Sequence, residues 1–261
     1  RAKSYASVLK MHTKCTIKGL LYGIEKDVAK EKTILNIDKT TQEYLNLLGL
    51  ETPNLNSDIE SLFKDNKWSL SILEERNVNH VKILDKIKSI VCDFVVFAGY
   101  GGQILSKEHF VQDKKYVHCH PGWLPLERGS TTLYYSLLNS RELSVTSFFM
   151  TEKIDEGNMI LRESYPSPSK LVNIDTWLDN SLRADTLSKS IKLIENSYAG
   201  FSRDKNEADE EYSPFLIRQI ASTIPTDGTF DNYHGHTHLG DVSFDVAYGG
   251  VSNNGFISMY G

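Results

Sequence analysis

This sequence has few cysteines, no long apolar run and no concentration of positive charge. Its three cysteines, Cys15, Cys92 and Cys119, are unevenly spaced and form no CxxC pair, which argues against a disulfide framework and favours a reducing, cytoplasmic location. No run of eighteen apolar residues and no signal-peptide pattern occurs, so no membrane partner is expected. The formal net charge is -5 without a Lys/Arg stripe, which disfavours a nucleic-acid partner.

The length of 261 residues allows one sizeable α/β domain and a small appendage. Charge accumulates at Arg203–Glu211, which is typical of an exposed linker, and the residues beyond it are rich in Gly, Asn, Tyr and Asp. We therefore predict a catalytic domain over residues 1–200, followed by a linker and a small β-rich appendage over residues 201–261.

The spacing of apolar residues predicts helices at Arg1–Lys10, Lys39–Leu48, His80–Cys92 and Arg183–Asn196. It predicts strands at Ile17–Tyr22, Glu31–Ile37, Phe94–Ala98, Tyr116–His118 and Val145–Met150, and leaves Trp68–Leu73 open between helix and strand. Phe94–Ala98 is an unbroken apolar run, which is typical of a parallel strand covered on both faces. Ser106, and then Ser130 or Thr131, are placed to cap the helices that follow them. The pattern favours an α/β class with a Rossmann-like core and a mostly parallel sheet.

A Rossmann-like unit begins with a strand and a glycine-rich turn, and neither precedes the helix predicted at Arg1–Lys10. We therefore expect that the first strand is missing and that the chain is an N-terminally truncated fragment. The alternative is a fold that starts with a helix.

The stretch Tyr116–Gly129, YVHCHPGWLPLERG, is the strongest candidate for a reaction site. Its first residues favour a buried strand, and Pro121 with Gly122 ends that strand at the edge where α/β sheets bind ligands. His118 and His120 are two residues apart and point to the same side, while Cys119 points to the other. This alternation argues against a Cys–His nucleophile.

The spacing His120-Pro121-x-x-Leu124-Pro125-x-x-x-Gly129, followed by Asp155-x-Gly157, resembles the signature of the 10-formyltetrahydrofolate-dependent formyltransferases. That family includes the glycinamide ribonucleotide, methionyl-tRNA and nucleotide-sugar formyltransferases. The resemblance is good over Val78–Ile160 and is closest to the sugar N-formyltransferases. It implies a Rossmann-like folate enzyme of one-carbon metabolism, a formyltransferase with 10-formyltetrahydrofolate as co-substrate.

Formyl transfer to an amine requires a neutral amine, a stabilised oxyanion, and a proton that passes from the attacking to the leaving nitrogen. The resemblance implies that His120 polarises the formyl oxygen and that Asp155 orients a water or His120 and relays the proton. The structural alternatives are a strand-end histidine and a turn aspartate.

Two positions depart from the family pattern. His118 stands where most members have asparagine, and Phe148 where many have histidine. We expect His118 to donate a hydrogen bond to the oxyanion and to titrate near neutral pH, and Phe148 to alter packing near the site.

The resemblance also implies two walls of a folate pocket, one built from Gln103, Ile104 and Leu105 and the other from Met150, Glu152 and Ile154. Simple loop packing is the alternative for these residues. A helix N-terminus suits an anion, so Arg128, Gly129 and Ser130 are candidates for binding a substrate phosphate, although ordinary capping explains them equally well.

The alternating histidines His234, His236 and His238, with Asp241, are possible metal ligands. Gly-His-Thr-His resembles the last motif of the calcineurin-like phosphoesterases, but the upstream motifs of that family are absent. We favour a solvated turn and predict no metal site.

The sequence thus predicts a cytoplasmic enzyme that formylates a primary amine, with a nucleotide-linked amino sugar as the small-molecule acceptor in sugar biosynthesis. The tail is too short and too acidic to resemble the basic domain of methionyl-tRNA formyltransferases. The rivals are hydrolysis of formyltetrahydrofolate by the same site and a formyltransferase-like binding protein weakened by His118. The oligomeric state stays open, with a homodimer as one option.

Overall fold

A seven-stranded sheet in the order β2-β1-β7-β3-β4-β5-β6 forms the centre of the protein. The computed structural model describes residues 1–12, 15–23, 34–99, 103–111, 114–203 and 255–260, with the backbone alone for 197–203 and 255–260. The strands are β1 Ile17–Tyr22, β2 Ser69–Leu73, β3 Phe94–Ala98, β4 Lys115–Pro121, β5 Glu142–Met150, β6 Gly157–Pro166 and β7 Gly255–Tyr260. The helices are α1 Ala2–Leu9, α2 Lys39–Leu47, α3 Ile59–Asp65, α4 Val81–Ser89, α5 Lys107–Phe110, α6 Thr132–Asn139 and α7 Asp179–Arg203, with a π-helical turn at Ile174–Leu178.

Strand directions support the predicted Rossmann-like core, although the sheet is mixed. β1 pairs with β2 and β3 pairs with β4 in parallel, whereas β5 is antiparallel to both of its neighbours. β7 lies antiparallel between β1 and β3, so β1 to β4 and β6 all run in one direction. The division at residue 200 stays a prediction, because most of residues 204–261 lie outside the described range.

Two apolar cores cover the two faces of this sheet. The larger one joins α1, α2, α3 and α7 to one face, and the smaller one joins α4 and α5 to the other. All five residues of β3 are buried, as its unbroken apolar sequence predicts. Gly19 is needed in β1, because an added Cβ would come within 2.4 Å of the Phe63 ring on α3. Among the described residues, no helix is both long and apolar enough to cross a membrane.

Most predicted elements are confirmed, and Trp68–Leu73 contains strand β2. The strand predicted at Glu31–Ile37 is wrong for residues 34–37, and residues 31–33 lie outside the described range. The physical reason is that Leu35 exchanges its backbone hydrogen bonds with the side chain of Asn56 rather than with a strand. Strand β6 is not predicted by the sequence, because its polar residues show no clear alternation, and α7 begins at Asp179, four residues before the predicted start at Arg183.

The residues at the N-cap positions of the helices differ in whether their side chains make a capping hydrogen bond. Asp38 and Asp58 cap α2 and α3 through hydrogen bonds from the backbone N–H groups of Thr41 and Ser61. Ser106 and Thr131 occupy the cap positions of α5 and α6 as predicted, but neither side chain makes a capping hydrogen bond.

Candidate active site

His120 lies near the end of β4 with both ring nitrogens close to protein oxygens. Its Nδ1 is 3.3 Å from Oδ1 of Asp155, and its Nε2 is 2.6 Å from the backbone oxygen of Glu127. The side chain is only 3% exposed. A carbonyl oxygen and an ionised carboxylate can only accept hydrogen bonds, so the ring satisfies both partners only when it carries both protons. Each ring nitrogen of His120 thus faces a hydrogen-bond acceptor.

Backbone geometry at two residues directs Asp155 towards His120. Asp155 has a φ of 51°, in the left-handed region, and its Oδ2 accepts a 2.9 Å hydrogen bond from the N–H of Gly129. Gly157 has a φ of 144°, and an added Cβ would lie 1.9 Å from the backbone oxygen of Phe149. The glycine of the Asp-x-Gly motif is thus required where the chain turns from this loop into β6.

The Asp155 carboxylate is held ionised. Burial alone would raise its pKa, but the hydrogen bond and charge of His120 and the N–H of Gly129 lower the pKa below its ordinary value. A carboxylate that stays charged beside a buried histidine is suited to orient the ring and to stabilise its protonated form.

Two residues that the sequence analysis did not single out fix the loop around His120. Thr146 lies opposite His120 on β5, and its hydroxyl donates to the oxygen of Gly122 at 2.7 Å and accepts from the N–H of Leu124 at 3.1 Å. The Glu127 carboxylate accepts from the backbone N–H of Trp123 and from the hydroxyl of Ser136. These contacts place the Glu127 carbonyl against His120. No sequence signal identifies them, since they depend on strand pairing and on the path of the loop.

His118 lies on the same face of β4 as His120 but has different partners. Its Nδ1 donates to the backbone oxygen of Phe97 at 3.2 Å, and the rings of Phe97 and Phe148 flank it with centroids 6.2 and 5.9 Å away. Burial, followed by the charges of Arg183, Arg1 and His120, lowers the pKa of His118 to about 3. The expectation that His118 titrates near neutral pH is therefore wrong, because the ring stays neutral.

The opposite face of β4 is sealed. Cys119 is buried, and burial raises the pKa of its thiol to about 12, so the structure supports the prediction that it is no nucleophile. Its backbone oxygen accepts from Arg183, whose Nε donates to Asp179 at 2.8 Å. Asp179 and Arg183 are four residues apart at the start of α7, and this spacing is the sequence signal that could have identified the pair.

The first predicted pocket wall follows β3 and is fixed from both sides. The Gln103 side chain accepts from the hydroxyl of Tyr22 at 2.9 Å and donates to the backbone oxygen of Arg76 at 2.7 Å. Leu105 is buried in the smaller core, whereas the Ile104 side chain is exposed. An exposed apolar side chain on a fixed backbone is compatible with a pocket lining.

The second predicted wall is more open. Met150 packs against the smaller core, and both Glu152 and Ile154 are exposed. Contact between either wall and a folate stays a prediction.

The predicted phosphate site is partly occupied by protein groups. Gly129 uses its N–H for Asp155, and Arg128 lies 3.3 Å from a carboxylate oxygen of Glu156. Ser130 is exposed at the start of α6. Phosphate binding by these residues also stays a prediction.

The motif His234–Asp241 lies outside the described residues, so the metal hypothesis for it is untested. Within the part of the chain that the structure describes, no cluster of three or more His, Cys, Asp or Glu side chains is arranged to hold a metal ion.

Comparison with known proteins gives a consistent family assignment. The family profile described as Formyl transferase matches residues 28–169. The methionyl-tRNA formyltransferase of Bacillus subtilis (strain 168) is 32% identical over 159 residues, which cover 59% of this chain and 49% of that protein. The methionyl-tRNA formyltransferase of Clostridioides difficile (strain 630) is 28% identical over 151 residues, covering 54% of this chain and 46% of that protein. The chain thus spans about half the length of the curated relatives it matches.

Similar solved structures carry related names. The phosphoribosylglycinamide formyltransferase from Campylobacter jejuni subsp. jejuni NCTC 11168 has a TM-score of 0.41 and 22% identity, covering 51% of this chain and 72% of that one. A sugar N-formyltransferase from Shewanella sp FDAARGOS_354 has a TM-score of 0.35 and 21% identity, covering 60% of this chain and 59% of that one.

Proposed function

This chain belongs to the formyl transferase family, and from that premise we propose that it transfers a formyl group from 10-formyltetrahydrofolate to a primary amine. The family profile matches more than half of the chain and includes the whole His120 and Asp155 region. The proposal places the enzyme in a reducing cytoplasm, which its three free cysteines support.

The observation that carries this proposal is the pairing of His120 with Asp155 at the end of β4. The two side chains are 35 positions apart in sequence, yet Nδ1 and Oδ1 lie 3.3 Å apart in a buried setting. Acid–base catalysis of acyl transfer needs a proton donor beside a group that stabilises its charged form. This pair meets that requirement.

The reaction joins the amine nitrogen to the formyl carbon and breaks the bond from that carbon to N10 of the folate. One proton leaves the amine and one reaches N10, so the exchange is balanced without any further reactant. In its protonated form, His120 supplies the N–H that stabilises the oxyanion and then protonates N10, while Asp155 orients the ring. His120 must release the Glu127 oxygen for this step, since both of its N–H groups are engaged in the structure.

We further propose a nucleotide-linked amino sugar as the acceptor. The net charge of -5 disfavours a polyanion such as tRNA, because phosphate binding depends on clustered positive charge. Near Asp155, Arg128 and Lys153 both pair with Glu156, at 3.3 and 3.4 Å, so this carboxylate offsets one of the two positive charges of the rim.

A comparison of three acceptors in separate reactions tests the proposal. The chain is given 10-formyltetrahydrofolate with a ¹⁴C-formyl group and, in parallel reactions, UDP-glucosamine, glycinamide ribonucleotide or methionyl-tRNA. We expect labelled formamide with the sugar nucleotide in preference to the other two. Preference for methionyl-tRNA would contradict the substrate assignment and leave the transfer chemistry intact. Label released as free formate in every reaction would instead indicate the hydrolase.

A further inference from the structure

The neutral His118 ring has a defined tautomer. The Phe97 oxygen can only accept a hydrogen bond, so the nitrogen 3.2 Å from it, Nδ1, carries the proton. In a neutral imidazole the second nitrogen is then an acceptor with a free lone pair. His118 consequently has no N–H at Nε2 to offer to an oxyanion, contrary to the sequence-based expectation.

Burial and positive charges favour this neutral form, whereas the hydrogen bond to the Phe97 oxygen opposes it. Arg183 on α7 and Arg1 before α1 are cationic, and their charges and that of His120 on β4 lower the pKa of His118. Asp155 is the acidic side chain that faces the pair, and its charge is engaged by His120 and Gly129. The rings of Phe97 on β3 and Phe148 on β5 contribute no charge.

The position of His118 makes Nε2 the nitrogen that a bound molecule can reach. The ring is half-buried. Within the described residues, Nε2 has no hydrogen-bond partner, and it is not one of the buried polar atoms that lack a partner, so it keeps some exposure. Phe97 and Phe148 fix the plane of the ring. His118 and His120 stand on one face, separated by two residues of strand rise, or about 6.6 Å.

We propose that His118 binds the acceptor amine, with Nε2 accepting one N–H of the neutral primary amine and directing its lone pair at the formyl carbon. This inference rests on the proposed formyl transfer and deepens it. The attacking amine thereby sits beside His118 and the formyl oxygen beside His120. The bond from the amine nitrogen to the formyl carbon forms and the bond from that carbon to N10 breaks. His120 gives a proton to N10 and then takes up the proton that leaves the attacking nitrogen. The amine must be neutral when it reacts, because an ammonium group has no lone pair for attack.

Two variants of the full chain separate this role from oxyanion donation. His118→Phe keeps a flat ring but removes the acceptor, and we expect the KM for UDP-glucosamine to rise about tenfold with kcat changed less than about threefold. His118→Asn restores an acceptor through its amide oxygen and should return the KM to within about threefold of the parent. Binding of an unreactive folate analogue should stay within about threefold in both, and His80→Asn, at the cap of α4, is the matched control.

The ¹⁵N spectrum of the His118 ring gives a readout that does not depend on turnover. We expect a protonated Nδ1 and an unprotonated Nε2 from about pH 5 to 8, and a shift of Nε2 alone when UDP-glucosamine is added to the complex with the folate analogue. A protonated Nε2, an Nε2 signal that ignores the amine, or a kcat loss in His118→Phe without a KM change would overturn the proposal. Absence of transfer to any amine, with the Nε2 shift present, would refute the proposed function alone.

Discussion

The two faces of strand β4 differ in the partners of their side chains and in how far those side chains are buried. On one face, His120 contacts the Asp155 carboxylate and the Glu127 backbone oxygen, and the half-buried His118 contacts the Phe97 backbone oxygen. On the other face, Cys119 is closed off by α7 and has a thiol pKa raised to about 12 by burial. Three successive residues with reactive side chains thus divide into the histidine pair that we propose as the reaction site and a sealed cysteine. The types of the side chains indicate a candidate site. Strand alternation, together with the helix that covers one face, determines which of these side chains are accessible.

The largest effect is expected on the sealed face. Arg183→Met removes the buried partner of the half-buried Asp179 carboxylate and the donor to the Cys119 oxygen, which should lower the free energy of unfolding by roughly 3–5 kcal/mol. Chemical denaturation measures this change. The control is Lys39→Met, which breaks the exposed pair with Glu43 and should be neutral. Equal effects of the two substitutions would mean that α7 does not seal this face.

On the face of His118 and His120, Asp155→Asn should reduce kcat by about a hundredfold, because it removes the carboxylate proposed to orient His120 and relay the proton. Affinity for a folate analogue should stay within a few-fold, since the loss concerns the proton relay. Steady-state kinetics and a binding titration measure the two quantities. A kcat within a few-fold of the parent would remove Asp155 from the reaction.

The two histidine positions can be separated by acid. The folded-state pKa of His118, about 3, lies below its unfolded value of about 6.5, so its contribution to stability is present above pH 6.5 and is lost as the pH falls towards 3. His118→Asn removes the titrating ring. Between pH 8 and pH 5, the free energy of unfolding of the variant should therefore fall by about 1–2 kcal/mol less than that of the parent. Denaturation at pH 5 and 8 measures it, and parallel curves for the two proteins would contradict the assigned surroundings.

The pH–rate profile of His118→Asn should keep the shape of the parent profile. A group that titrates near pH 3 contributes no ionisation between about pH 5 and 9. The sequence alone favoured the loss of one ionisation here. Loss of a limb from the profile would show that His118 titrates in the working range after all.

The smallest effect is expected for Cys119→Ala. The side chain touches α7 rather than the reactive face, so kcat and KM should stay within about twofold while stability falls by about 1 kcal/mol. Kinetics together with thermal unfolding make this test. A loss of activity comparable to that of Asp155→Asn would break the distinction between the faces.

The sequence predicted those parts of the fold that depend on local pattern. The helices α1, α2 and α4 and the strands β1 and β3 follow from apolar spacing alone. Strand β6 was missed because its register against β5, with a bulge at Ser147 and Phe148, is set by pairing rather than by alternation. Residues 34–37 look like a strand but have no strand to pair with, since Asn56 satisfies their backbone at Leu35.

The site was predictable as a set of residues but not as a set of protonation states. The motif spacing brought His120 and Asp155 together correctly, and alternation placed Cys119 away from both. The role of the Glu127 carbonyl depends on how the loop folds back, and the neutral state of His118 depends on its burial and on Arg183, which is far away in sequence. Long-range contacts of this kind determine the electrostatics, and no local pattern encodes them.

The most direct test of the central claim is transfer of a ¹³C-labelled formyl group, followed by NMR in single-turnover reactions of the parent chain and His120→Gln with UDP-glucosamine. The account predicts a formamide signal on the sugar amine with the parent, formed at least about a hundredfold more slowly by His120→Gln at unchanged folate affinity. A variant that forms formamide as fast as the parent would contradict the assignment of the chemistry to the His120–Asp155 pair.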